Sequence, residues 1–241
     1  MIRLKHLDIL CKKEFLADIP DEKLIINTIN AFSYINARKD SLFAKALKNS
    51  DVLIPDGISI VKACHFIGAM SQPAERITGW DLFVFEMERI NKRGGKVMFL
   101  GSSDNVLELI RKRVGEEYPN IRVDTFSPPY KDHFDQEDDE KMINAVNQSN
   151  PDLLWIGMTA PKQEKWAYTH IDKLEVNCHI GTIGAVFDFF AGTVKRAPVA
   201  WQEAGFEWLY RLIKEPRRMW RRYLVGNLQF LLYILEEKIK V

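Results

Sequence analysis

The stretch DVLIPDGISIVKACHFIGAMSQPAERITGWDL, residues 51–82, decides the fold and locates the candidate chemistry. Its first apolar run, Val52 to Ile54, suits a buried strand. Pro55-Asp56-Gly57 stops that strand, because proline cannot extend a ladder and glycine permits a sharp turn. Asp56 therefore stands just past a strand end. In an α/β domain ligands bind in the crevice beyond the carboxyl ends of the strands, so this carboxylate can meet a substrate. Further along, Glu75-Arg76-Ile77-Thr78-Gly79 adds a cation and a glycine-opened helix start. One reading makes Asp56 a base and Arg76 an anion clamp, and the plainer one makes them a turn and a solvated charge. The rest of the chain favours the first.

Upstream, Leu24 to Asn27 reads as a strand leading into Thr28-Ile29-Asn30-Ala31, and residues 33–48 have helical spacing. Downstream, Trp80 to Lys92 is an amphipathic helix closed by Gly94-Gly95. Lys96 to Leu100 is a strand running into Gly101-Ser102-Ser103-Asp104, followed by a helix from Val106 to Val114. That small-residue turn aims backbone N–H groups at an anion, but it lacks the GxGxxG fingerprint of a dinucleotide-dependent oxidoreductase. Ile121 to Phe126, Leu153 to Gly157 and Cys178 to Gly181 supply further strands, with helices at 136–149 and 161–173. Alternation at this spacing predicts a Rossmann-like α/β fold, a mostly parallel sheet with helices on both faces.

With 241 residues, 46% of them hydrophobic, the chain can bury a full core, and its net charge of +1 gives no reason to expect nucleic acid. Cys11, Cys64 and Cys178 are far apart and without metal spacing, which fits a reducing cytoplasm. The N-terminal MIRLKHLDILCKKEF alternates apolar and polar residues and reads as a strand or hairpin rather than a signal peptide. No run reaches the roughly 18 apolar residues of a membrane span.

Two later loops carry polar side chains. In GMTAPKQE (157–164), Pro161 starts a helix whose first turn holds Lys162 and Gln163; Gln163 suits a sugar or uracil, or is part of an ordinary helix start. In GTIGAVFDFFAG (181–192), Gly181 and Gly184 let backbone approach a ligand, and Asp188 sits between aromatic residues. A carboxylate there needs partners, either a ligand or backbone N–H groups. The acidic run KDHFDQEDDEK (131–141) reads as a solvated loop and helix start, not a metal site.

From Arg196 the composition changes. Gln202 to Lys214 has helical spacing, and Glu215-Pro216 opens a second helix bearing Arg217, Arg218, Arg221 and Arg222 in its first turns. That placement opposes the helix dipole, so an external anion would resolve it. Leu228 to Leu235 is apolar nearly all round and suits a lipid surface, a dimer helix or a core helix. The expected division is a catalytic domain over 1–195 and a helical, arginine-rich appendage over 196–241.

Taken together, the motifs are recognisable: TINA (28–31), PDGI (55–58), ERITGWDL (75–82), FLG (99–101), GMTAPKQE (157–164), GTIGAVFDFFAG (181–192), RAP (196–198), EWLYRL (207–212) and EPRRMWRRY (215–223). In this order the chain resembles the WecG/TagA/CpsF family of bacterial glycosyltransferases over nearly its whole length. The resemblance implies an inverting, metal-independent enzyme, without cofactor, peripheral on the inner face of the bacterial membrane. It would move a sugar from a UDP-sugar to an undecaprenyl-diphosphate-linked saccharide during cell-surface polysaccharide assembly. It also implies catalytic roles for Asp56 as general base, Thr28 and Arg76. Asn30, Gly57, Thr78, Gly101, Gln163, Gly184, Asp188, Arg211, Arg218 and Arg221 become the expected substrate-binding residues. Homo-oligomers are compatible with the apolar tail. Phe32-Ser33 and Trp80 depart from the family pattern and bear on donor or acceptor identity.

Overall fold

A computed structural model describes residues 2–203 and 205–239, the side chains of Glu203, Arg211 and Arg218 excepted. Two of the expected site residues, Arg211 and Arg218, thus lie outside the described side chains.

Five βα units come first: β1 (Leu24–Ile29), α1 (Ala31–Lys39) and α2 (Ser41–Lys48), β2 (Val52–Pro55), α3 (Ile58–Ile67) and α4 (Gly79–Arg93), β3 (Gly95–Gly101) and α5 (Asp104–Glu117), β4 (Ile121–Phe126) and α6 (Gln136–Ser149), then β5 (Leu153–Gly157) and α7 (Lys162–His170). There follow β6 (His179–Thr182), α8 (Gly184–Ala191), α9 (Val199–Glu203), α10 (Glu207–Lys214), α11 (Pro216–Trp220), a π-helical turn (Arg221–Val225) and α12 (Gly226–Ile239). The six strands form one sheet in the order β2-β1-β6-β5-β3-β4, and every neighbouring pair is parallel. All six carboxyl ends therefore open on one edge.

The two-residue period of a strand explains how both faces are covered. Ile26, Val97, Phe99, Leu153 and Trp155 pack on one side with Leu82, Phe83 and Met87 of α4, Ile110 of α5 and Phe187 of α8. Their alternates Ile25, Met98, Leu100, Leu154 and Ile156 pack on the other with Met142 of α6 and Trp166 of α7. A third cluster joins α1, α2 and α3 to the N-terminal segment and to Phe230 and Ile234 of α12.

Three expectations need correction. The N-terminal segment is not a strand or hairpin but two short 3-10 turns, Leu4–His6 and Lys13–Asp18. Its buried residues Ile2, Leu4, Leu7 and Ile9 mimic alternation, yet the step from Leu4 to Leu7 is that of a 3-10 turn. The helix expected over 33–48 divides at Asp40, whose carboxylate accepts from Leu42 N and Phe43 N, both at 3.0 Å, and so caps α2. The helix expected over 202–214 divides at Gly205, which stands at φ +75°. Residues 58–67 and 184–191, not assigned to helices from the sequence, form α3 and α8.

The tail is fastened to the sheet domain at its far end. Glu237 of α12 accepts from Leu4 N and Lys5 N at 3.0 Å each and from the Tyr34 hydroxyl, while Glu236 pairs with Arg38 at 2.8 Å. Both oxygens of a buried carboxylate are thereby satisfied, which burial demands. Among the described residues no helix is long and apolar enough to cross a membrane.

Candidate active site

A cleft of about 1590 Å³ lies along the carboxyl edge of the sheet, under the tail helices. Thr28, Asn30, Asp56, Gly57, Arg76, Thr78, Gln163, Gly184 and Asp188 all line it, although they come from separate loops. Parallel register explains the convergence, since Thr28 pairs with Ile54 and Ile29 with Pro55, setting the β1 and β2 exits side by side.

Asp56 follows β2 directly, and its side chain is 32% exposed to the space within the cleft. Its Oδ1 lies 3.9 Å from Arg76 Nε. Enclosure pushes this carboxyl above the ordinary carboxylate range; Arg76 pulls it down and Glu207 adds to the rise. Arg76 in turn donates to Glu207 Oε2 at 2.5 Å. Burial works against its charge, but Asp56 and then Glu207 more than offset that, so the guanidinium is held above its usual value. The result is a cation fixed between two carboxylates, one from the sheet and one from the tail.

Other polar groups are set by the helices that follow the strands. Asn30 Oδ1 accepts from Ser33 N at 3.0 Å and caps α1, and Thr78 Oγ1 accepts from Asp81 N at 3.1 Å and caps α4. Gln163 is only 4% exposed. Its Oε1 accepts from Met158 N and Gly184 N, both at 3.1 Å, and its Nε2 donates to Glu164 Oε1 at 2.9 Å. Gln163, expected to meet a sugar or uracil, lines the cleft and also braces it, since its amide ties the loops after β5 and β6 together. Gly184 shares the constraint, because a Cβ there would lie 2.2 Å from the Met158 carbonyl oxygen and 2.7 Å from Gln163 Oε1.

Gly101 does not line the cleft. It stands at φ +124°, and a Cβ would fall 2.3 Å from the Gly157 carbonyl oxygen, so its size serves the β3–β5 exit while Ser102 reaches the cleft. Asp188 lines the cleft and accepts from Thr193 Oγ1 at 3.4 Å.

The described arginines of this segment, Arg217, Arg221 and Arg222, do not share one setting. Arg217 is exposed, and Arg221 is exposed with its guanidinium 5.2 Å from the Trp220 ring. Arg222 lines the cleft with its guanidinium 4.5 Å over the Phe32 ring. Arg221 and Arg222 open a π-helical turn that runs to Val225. Arg196 joins the lining, 5.1 Å from the Trp80 ring, and burial lowers its pKa from the usual value.

The sequence model of the WecG/TagA/CpsF glycosyl transferase family matches residues 5–241. The chain belongs to this family. It is similar to the N-acetylglucosaminyldiphosphoundecaprenol N-acetyl-beta-D-mannosaminyltransferase of Bacillus subtilis (strain 168), 31% identical over 222 residues that span 91% of this chain and 83% of the relative. The protein of the same name from Bacillus spizizenii is 30% identical over 199 residues, 83% of this chain and 74% of the relative. That of Staphylococcus aureus (strain MW2) is 28% identical over 229 residues, 95% and 87%. The protein is a glycosyltransferase.

Charged residues of the transferase's cleft that were not among the expected site residues include Lys62, Arg196, Glu207 and Arg222. Of these, only Arg196, Glu207 and Arg222 stood within recognisable motifs. Glu164, at the start of α7, is 2% exposed and lines the cleft floor, with burial pushing its carboxyl up to about 7. Its Oε2 has no partner among the described residues. The acidic run behaves as a helix start, with Asp135 capping α6 and Lys131 bridging Asp135 and Asp138 at 2.9 and 2.7 Å.

Proposed function

We propose that the enzyme moves N-acetylmannosamine, or a related hexose or uronic acid, from a UDP-sugar to an undecaprenyl-diphosphate-linked N-acetylglucosamine or similar saccharide. The reaction is inverting and independent of metal, and it serves assembly of a cell-surface polysaccharide at the cytoplasmic face of the membrane. The observation that carries the reading is the Asp56–Arg76–Glu207 line, which runs from the cleft floor to the tail, a carboxylate of raised pKa beside a fixed cation.

Asp56 takes the proton from the acceptor hydroxyl as its oxygen bonds to the anomeric carbon. On the opposite face the bond to the UDP oxygen breaks, and its electron pair leaves as charge on the diphosphate. Inversion follows from that single in-line displacement. Arg76 and Arg222, both in the cleft lining, neutralise the departing diphosphate through charge-assisted hydrogen bonds. Thr28 and Asn30 hold the reacting sugars beside Asp56. Residues 196–241 act as an appendage that closes over the 1–195 catalytic domain. The exposed Leu224, Leu228 and Leu232 on its outer face rest on the bilayer surface.

The test is UDP release from a panel of UDP-sugars with a short-chain polyprenyl-diphosphate N-acetylglucosamine acceptor in EDTA, for wild type and Asp56→Ala. Acceptor-dependent release that survives EDTA and vanishes in the variant is expected, and it names the donor. Release that requires a divalent cation, or that persists in a folded Asp56→Ala protein, refutes the mechanism.

A further inference from the structure

The cleft is larger than a nucleotide-sugar needs. Its volume of about 1590 Å³ exceeds the roughly 300–1,000 Å³ of ordinary small-molecule pockets. Its lining also changes character. Away from the strand ends it passes to Ala63 and Phe66 of α3 and to Phe230, Leu231, Ile234 and Leu235 of α12, two helices that pack together. Phe230 and Ile234 are buried beneath, whereas Phe66, Leu231 and Leu235 are 51%, 57% and 47% exposed. A run of apolar side chains continuous with an active site marks a ligand groove rather than scattered surface residues.

Cations stand where the polar and apolar parts meet. Lys62 lies one helical turn before Phe66 on α3, and Arg222 precedes α12; both line the same cleft. A groove with positive charge at its inner end and hydrocarbon along its length is complementary to an anionic head on a long apolar chain. Leu228 and Leu232 form a second apolar stripe on α12, exposed and outside the cleft lining, so the bilayer surface has a separate face to meet.

We infer that the groove between α3 and α12 holds the isoprenoid chain of the acceptor, with Lys62 beside the diphosphate from which the chain departs. This rests on the lipid-linked acceptor proposed above. The chain then leaves toward the membrane along α12 while the saccharide reaches Asp56.

Binding of farnesyl diphosphate and of inorganic diphosphate, measured by calorimetry on the full chain, separates the chain from its head. Wild type is expected to bind farnesyl diphosphate roughly 30-fold more tightly or better. Leu231→Gln with Leu235→Gln reduces that gap to about 3-fold or less, because two exposed leucines no longer offer apolar contact. Leu231→Met with Leu235→Met keeps it, as does Leu228→Gln with Leu232→Gln on the outer stripe. No gap in wild type, or a gap that survives the glutamine pair, overturns the groove. Transfer assays with the same preparations report on the reaction separately. Equal KM for chain-bearing and chain-less acceptors defeats the groove and leaves the transferase reading. A chain-dependent gap in binding without transfer from any UDP-sugar defeats that reading and leaves the groove.

Discussion

The floor and the roof of the cleft are built by different means. On the floor, side chains are held by backbone: Gln163 Oε1 takes two main-chain N–H groups, and Asn30 and Thr78 cap the helices that begin beside them. On the roof, the tail is held over the site by side chains, Glu207 on Arg76 and Arg222 stacked on Phe32. Backbone hydrogen bonds fix an atom at every moment, whereas ion pairs between flexible side chains loosen with salt and with exchange for a ligand. This difference fits the proposal that the floor carries the chemistry and the tail closes over it.

Ablating each region separately gives the largest contrast. Asp56→Ala should lower kcat by roughly 10²–10⁴-fold, while Arg222→Ala should act mainly by raising the donor KM. Steady-state kinetics checks both, and equal losses in kcat would erase the distinction. Next in size is Gly184→Ala on the floor, where the added methyl meets the Met158 carbonyl and the Gln163 amide. Overpacking of this kind costs about 1–3 kcal/mol, read as a lower urea midpoint with unchanged slope.

Glu164 sharpens the contrast through pH. Its folded pKa of about 7 lies above its ordinary 4.5. Between those values the native state holds a proton that the unfolded chain releases, so stability falls as pH rises through that window and levels off above it. Glu164→Gln removes the effect. Its stability advantage over wild type should therefore grow by about 1–3 kcal/mol from pH 5 to pH 7.5, measured by urea unfolding. A pH-independent difference would mean that Glu164 is ionised in the folded protein.

The smallest effect links roof to floor. As the proposed base, Asp56 must be ionised to accept a proton, so the rate should fall as pH drops through its raised pKa. Glu207→Gln removes a negative neighbour and should move that acid limb to lower pH. Arg76→Ala removes the cation and should move it to higher pH, beneath its larger loss of rate. Displacement in the same direction in both variants would show that the limb belongs to another group.

Much of the floor was legible in the sequence because it is local. A short apolar run stopped by Pro55-Asp56-Gly57 reads as a strand with a carboxylate at its exit, and the apolar runs before Thr28 and Gly184 read as strands in the same way. The bracing role of Gln163 was hidden, since its partners lie 5 and 21 residues away in chain order. The helices α3 and α8 were missed because their apolar residues have little amphipathic contrast and follow glycines that suggested loops. On the roof, adjacent Arg221 and Arg222 look alike in the sequence, and only the fold leaves Arg221 exposed while Arg222 lines the cleft.

The sequence by itself determined the alternation of strands and helices, the family, and which residues stand at strand exits, because each depends on neighbours within a turn or a strand. Only the tertiary structure decided the pairing of Arg76 with Glu207, 131 residues apart, and the passage of α12 alongside α3 to form the apolar end of the cleft. Those contacts depend on the order of strands in the sheet and on where Glu237 anchors the tail to the N-terminal segment. No local pattern encodes them, because they arise from the packing of surfaces that the chain brings together only once it is folded.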